Sequence, residues 1–366
     1  MSRAVDAAAL PLVALALLSS ASACADDGAS APAAPQRTWV SVPKVQGRLS
    51  ARDIGLVINT ADPYSVEVGA YYAQRRGLSP QQILEVTLPL RSALTRDEFD
   101  ALAAQIRSHF GPRVQALALA WTQPYAVQCN SITGALALGF DEALCQQSCA
   151  RSRASPYFNS PSTRPFSDHA LRPAMLLAAR DVAGAKALID RGVRSDGRLG
   201  LRGAPPVVAE YVASSDAARN VRSRLFPPPQ RLPALGVEVR VEGPGDFDPG
   251  QRVVLYESGV AREPQLARIG WVDGGLADHL TSFGGQLERT NGSQMSALEW
   301  IESGATATYG SVSEPCNHLQ KFPHPQLLLL HYLQGSTALE AYWKSVAWPQ
   351  QGVFVGEPLA APFARR

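Results

Sequence analysis

Apolar residues arrive along this chain in short continuous runs separated by segments of helical period, and that alternation sets the expected architecture. Residues 54–58 (Ile-Gly-Leu-Val-Ile) are one such run, the mark of a strand buried on both faces. Asp62 and Pro63 follow as an N-cap with proline at the first helical position, and Gly77 is a natural stop for the helix they open. The unit then repeats. Residues 83–88 read as a second strand, and Thr95 with Glu98 forms a capping box. Phe99, Leu102, Ala103, Ile106 and Phe110 share one face of a helix that Gly111 and Pro112 end. Residues 114–121 are a third apolar strand. Strand–helix–strand–helix–strand at this spacing predicts right-handed crossovers and a parallel sheet.

Residues 124–170 carry Cys129, Cys145 and Cys149 and several prolines, and are expected to leave the sheet edge as an irregular excursion. Beyond them, strands are expected over 173–179, 237–241, 253–256, 305–311 and 353–355. Helices are expected over 181–191, 215–226, 294–302, 327–333 and 337–345. The predicted fold class is α/β: a largely parallel, doubly wound sheet with helices on both faces, in one large domain over 51–366.

The N-terminal segment has a different pattern. Arg3, an apolar stretch over 7–18 and the small residues Ala21, Ser22 and Ala23 together read as a signal peptide over 1–24. That stretch is too short to span a bilayer, so no transmembrane span is expected once it is removed. Cys24 follows directly and resembles a lipobox, although Ala21 stands where such motifs usually carry Leu. A lipid anchor at Cys24 and plain secretion after Ala23 both fit. Residues 25–50, rich in Ala, Pro and Ser with no hydrophobic period, read as a flexible tether. The expected address is the periplasm, or the cell envelope of a bacterium through a lipid.

Composition narrows the classes. With 46% hydrophobic and 18% charged residues the chain is an ordinary globular one. A net charge of +2 without a Lys/Arg run provides no electrostatic case for nucleic acid. Export makes disulfides the first reading of the even set Cys129, Cys145, Cys149 and Cys316. The preferred pairing is Cys129–Cys316, which would staple two strand ends, with Cys145–Cys149. A four-thiolate zinc site is the alternative, but the spacing of Cys145 and Cys149 is not Cys-x-x-Cys. No cofactor or metal is expected: the chain has no Walker sequence, no His-Glu-x-x-His, and no Gly-x-Gly-x-x-Gly at the first strand–helix turn.

The stretch 305–318 concentrates candidate chemistry, because a strand-like run delivers Glu314, Cys316, Asn317 and His318 at its end. His279 could serve as base and Cys316 as nucleophile, with Asp278, Glu314 or His318 orienting the imidazole. Without the thiol, Asp62, Asp273, Asp278 and Glu314 could converge on one crevice, provided all strands present their carboxyl ends to one rim. The bland readings stand beside these. A disulfide through Cys316 removes the nucleophile, Asp62 is already an N-cap, and Asp273 beside Gly274 and Gly275 is ordinary turn chemistry. Gly284 and Gly285 could hold an anion on free amides or simply permit close packing.

Four stretches, 59–67, 277–285, 304–310 with Glu314 and Pro315, and 354–359, resemble a family of exported bacterial proteins of unassigned function. More distantly, the order of apolar strand, glycine turn, helix, Gly-Ala strand and closing Gly-Glu-Pro-Leu is similar to the distal half of the gingipain-type cysteine peptidases. That resemblance implies a caspase-like fold, with a His-Gly pair ending one strand and the nucleophilic Cys ending a later one. Here Ser258 precedes Gly259 where histidine is needed, and the later element around 280–283 has no cysteine. Both catalytic positions depart from the pattern. The expectation is an exported binding or scaffold protein of unknown partner, the alternative a hydrolase rebuilt around His279 with Cys316 or nearby carboxylates.

Overall fold

The computed structural model describes residues 37–243, 245–288 and 292–365. The signal peptide and Cys24 lie outside the described residues. The first strand, β1 (Ile54–Asn59), is buried along its whole length, as a continuous apolar run requires. Asp62 caps α1 (Pro63–Arg76) by accepting from the Tyr64 amide, and Gly77 ends it in the left-handed conformation. β2 (Ile83–Val86) and the short β3 (Ala93–Leu94) lead to α2 (Arg96–His109), opened by the Thr95–Glu98 capping box. β4 (Ala116–Leu119) completes the unit. Gly55 of β1 faces Phe110 beyond α2, whereas Ile58 faces Gly69 of α1. Strand positions of opposite parity point to opposite faces, so helices cover both sides of the sheet.

The excursion holds β5 (Ala126–Val127), β6 (Asn130–Ser131), α3 (Ile132–Leu138), α4 (Ala143–Gln146) and α5 (Pro165–His169). β3, β5 and β6 form a small sheet of their own. The chain returns through β7 (Ala174–Leu176) and α6 (Val182–Ser195). It continues with β8 (Val207–Val212), β9 (Gln230–Leu232), β10 (Val237–Glu242), β11 (Val253–Ser258) and β12 (Trp271–His279). It closes with α7 (Ala297–Ser303), β13 (Ala307–Ser311), α8 (Pro325–Leu333), α9 (Ala338–Ser345) and β14 (Gly352–Gly356).

The large sheet has the order β2-β1-β4-β7-β14-β13-β12-β11-β8-β10-β9. Only β13–β14 and β9–β10 pair antiparallel. The class is therefore α/β with a largely parallel, doubly wound sheet, but its sense is not uniform. β2, β1, β4, β7 and β14 run one way; β13, β12, β11, β8 and β10 run the other. The carboxyl ends of β1 and β13 consequently point to opposite edges, which overturns the single shared rim. Asp62 and Glu314 cannot meet.

Local differences have local causes. β8 escaped the apolar-run reading because Glu210 interrupts it. β12 did so because Gly274 and Gly275 mimic a turn. They lie inside the strand, where the pairing with β11 slips between Val253–Trp271 and Leu255–Leu276 and Gly274 takes a φ of 90°. The helix expected over 215–226 is only a 3-10 turn, Asn220–Leu225, before the proline run.

The disulfides are Cys129–Cys145 and Cys149–Cys316, not the preferred pairing. Asn130 closes the intervening loop by donating to the Asp141 carbonyl and accepting its amide, at 3.0 Å each, and this brings α4 back beside Cys129. Cys149 lies past the end of α4 and reaches Cys316 instead. There His318 Nε2 donates to the Cys149 carbonyl at 3.0 Å and Lys321 Nζ to that of Ser148 at 2.8 Å.

The tether reading also fails over its described part. Residues 37–50 are a strap, with Val45 and Leu49 buried. Gln326 accepts the Val40 amide at 2.7 Å and donates to the Thr38 carbonyl at 3.0 Å. Gln334 does the same with Val45 and Pro43, and Glu340 accepts the Leu49 amide.

A buried ion pair closes the C-terminus over α1. Arg76 forks onto both oxygens of the fully buried Glu357, at 2.9 and 2.6 Å, and reaches Asp196 at 2.5 Å. Removing one partner of such a pair strands a charge. Arg76→Met is expected to destabilise the protein by about 3–5 kcal/mol in urea unfolding. Adding Glu357→Gln should recover part of that loss; full stability in the single variant would refute the role.

Candidate functional site

Cys316, Glu314, His279 and Asp273 are each held by contacts within the fold. Cys316 is bonded to Cys149, and the Glu314 carboxylate accepts the Cys316 amide at 2.8 Å. His279 is buried with both ring nitrogens engaged. Nδ1 accepts from Trp300 Nε1 at 2.9 Å, so Nε2 carries the proton and donates to the Met295 carbonyl at 3.1 Å. Burial lowers its proton affinity to a pKa of about 3, the Met295 hydrogen bond opposing this. Asp278 cannot orient that ring, because successive strand residues face opposite sides of the sheet. Asp273 pairs with Arg194 on α6. Gly285 donates its amide to the Ser311 carbonyl, and a side chain at Gly284's neighbour Gly285 would run into the backbone of Gly310 and Ser311, so this pair serves packing.

Asp278 instead belongs to a buried triad on the other face. Arg222 donates to Asp278 and lies 3.7 Å from Glu257, all three at most 1% exposed. Neither oxygen of Glu257 has a hydrogen-bond partner among the described residues. Burial raises the Glu257 pKa to about 8, Arg222 opposing and Asp278 adding to the rise. The shift favours the protonated form of Glu257, which leaves Arg222 and Asp278 as a matched pair. Arg222 carries no sequence signal, lying in an irregular turn.

Two switch points follow from the strand order. In the second half the chain goes from β8 to β10 on one side and β11 on the other, so a crevice is expected between the ends of β8 and β11. It is closed. Ser214 donates to the Gly259 carbonyl, and the backbone of Arg219 and Asn220 packs onto Gly259.

In the first half the chain goes from β1 to β2 on one side and then to β4 on the other. There a crevice of about 400 Å³ is open, lined by Asp62, Tyr64, Thr122, Gln123, Arg180 and Glu288 over Leu287 and Leu298. Each polar member of its floor follows a buried strand. The Tyr64 hydroxyl donates to the Leu177 carbonyl at 3.0 Å and accepts the Ala179 amide at 2.8 Å, and burial pushes its pKa up to about 12. Thr122 donates to the Ala179 carbonyl at 3.0 Å, and Arg180 forks onto Glu302. Of these residues only Asp62 was singled out in the sequence. The signal for Thr122, Gln123 and Arg180 was their position just past apolar runs. Among the described residues no group of three or more His, Cys, Asp and Glu could hold a metal ion.

No family model matches the chain, and no curated protein matches it. Two solved structures are similar over most of its length. One is gingipain R, an Arg-specific cysteine proteinase, at 11% identity and a TM-score of 0.44, covering 85% of this chain and 78% of that one. The other is described only as a protease, at 9% identity and a TM-score of 0.45, covering 86% and 79%. The α/β class rests on the strand order itself.

Glu257 predicts a pH dependence. Between the ordinary value of 4.5 and about 8 the folded chain holds a proton that the unfolded chain has released. Stability therefore falls as pH rises through that window, by up to about 1.4 kcal/mol per unit. Urea unfolding from pH 5 to 9 should show a flatter profile for Glu257→Gln than for the parent. Parallel profiles would remove Glu257 as the titrating group.

Proposed function

We propose that this protein is an exported binding protein rather than a peptidase, and that its ligand occupies the crevice at the carboxyl ends of β1 and β4. The observation that carries the reading is the Cys149–Cys316 bond, which leaves the one thiol suggested by the sequence without a free sulfur. The engaged nitrogens and low basicity of His279 support it, since a general base works best with a pKa near the operating pH. Two disulfides suit an oxidising environment, in keeping with the N-terminal signal pattern. No described helix is long and apolar enough to cross a membrane. The crevice offers carboxylates at Asp62 and Glu288 and an amide at Gln123, a set suited to a small polar ligand rich in hydroxyl or amino donors.

Alkylation with iodoacetamide followed by peptide mapping tests this. Cys129, Cys145, Cys149 and Cys316 should stay unmodified until denaturant and reductant are added together. Fluorogenic peptides covering basic, acidic and apolar cleavage positions should remain intact. Native-state labelling of Cys316, or peptide turnover lost in Cys316→Ala, would establish the hydrolase instead.

A further inference from the structure

A second cavity lies away from both switch points. It measures about 870 Å³ and is formed by the loop 197–204 before β8, the turn 233–236 before β10, and residues 363–365. Its lining is chemically divided. Leu199, Leu235 and Phe363 supply an apolar wall, Leu199 and Phe363 being at least nine-tenths buried. Arg198, Arg202 and Arg365, all exposed, also line it, and among the described residues no acidic one does. None of the three has an ion-pair partner among the described residues, whereas Arg76 pairs with Glu357 and Arg194 with Asp273.

The loop is built to lie flat. Gly200 takes a φ of +69° and approaches the Phe363 ring so closely that a Cβ there would sit 3.3 Å from it. Gly203 and Gly236 also have positive φ. The glycines keep side chains off the mouth and leave the arginines as its main chemistry. In a chain of net charge +2, three positive charges around one cavity are a concentrated field.

We propose that this cavity binds a phosphate monoester with an apolar body, the alkyl or aryl part against Leu199, Leu235 and Phe363 and the phosphate held by Arg198, Arg202 and Arg365. Guanidinium forks match phosphate oxygens bidentately, and three positive charges suit a dianionic head better than a carboxylate. The volume falls in the range of sites that enclose a small ligand.

Isothermal titration of the full-length protein with dodecyl phosphate, below its micelle concentration, tests the proposal. Inorganic phosphate, dodecanoate and octyl glucoside are the comparison probes. Dodecyl phosphate should bind saturably at one site, more tightly than each comparison probe and more weakly as salt is added. The double variant Arg198→Ala/Arg202→Ala should weaken binding tenfold or more while its circular dichroism is unchanged. Both residues are exposed, so folding should not depend on them. Three results would overturn the proposal: no saturable binding, equal binding of octyl glucoside, or affinity unchanged in the double variant. Equal binding of inorganic phosphate would overturn the role of the apolar wall.

Discussion

The antiparallel seam between β13 and β14 decides how everything else in the molecule is arranged. The register there pairs Tyr309 with Phe354 and Gly310 with Val353. Tyr309 also crosses close over Gly352, where any side chain would overlap its ring, and its hydroxyl donates to the Lys321 carbonyl. Phe354 stacks on Trp343 of α9 at 4.5 Å, so the seam fixes the C-terminal helices as well as the sheet. Because the strands reverse sense across this line, each half has its own carboxyl edge. One edge is open at β1 and β4; the other is filled by backbone at Gly259.

The βα units up to residue 121 were legible because burial on both faces writes itself as uninterrupted apolar runs, and because Asp62, Thr95 and Gly77 mark helix ends through local hydrogen bonding. The reversal was not legible, since strand direction relative to a distant neighbour leaves no trace in either segment. The candidate site failed for the same reason. Asp62 and Glu314 each follow a strand, but only the long-range order says which edge that is. Cysteine pairing went wrong one step further out. It depends on how Asn130 closes its loop with Asp141, an interaction that composition cannot reveal. Strap residues 37–50 carry no signal in sequence, because their order comes from Gln326, Gln334 and Glu340 and not from any period of their own.

Three buried charge groups follow one logic. Arg76 meets Glu357 with two parallel hydrogen bonds, and Arg222 meets Asp278 while Glu257 takes up a proton. Lys344 and Glu340, both fully buried, lie 3.9 Å apart one helical turn from each other, with the lysine above the Tyr157 ring. Each group tethers elements far apart in sequence: α1 to the C-terminal turn, the turn before β9 to β12, and α9 to the excursion. Replacing a partner leaves a charge in an apolar medium, so such sites tolerate single changes poorly.

The strap has a consequence for the order of events in folding. Its amides bond to side chains 286, 289 and 291 residues further along. A ribosome delivers this segment well before its acceptors, so nothing exists for it to grip until Gln326, Gln334 and Glu340 have been made. Residues 37–50 are thus a clasp whose catch is made by α8 and α9, and a chain halted before α8 would leave that segment unfastened.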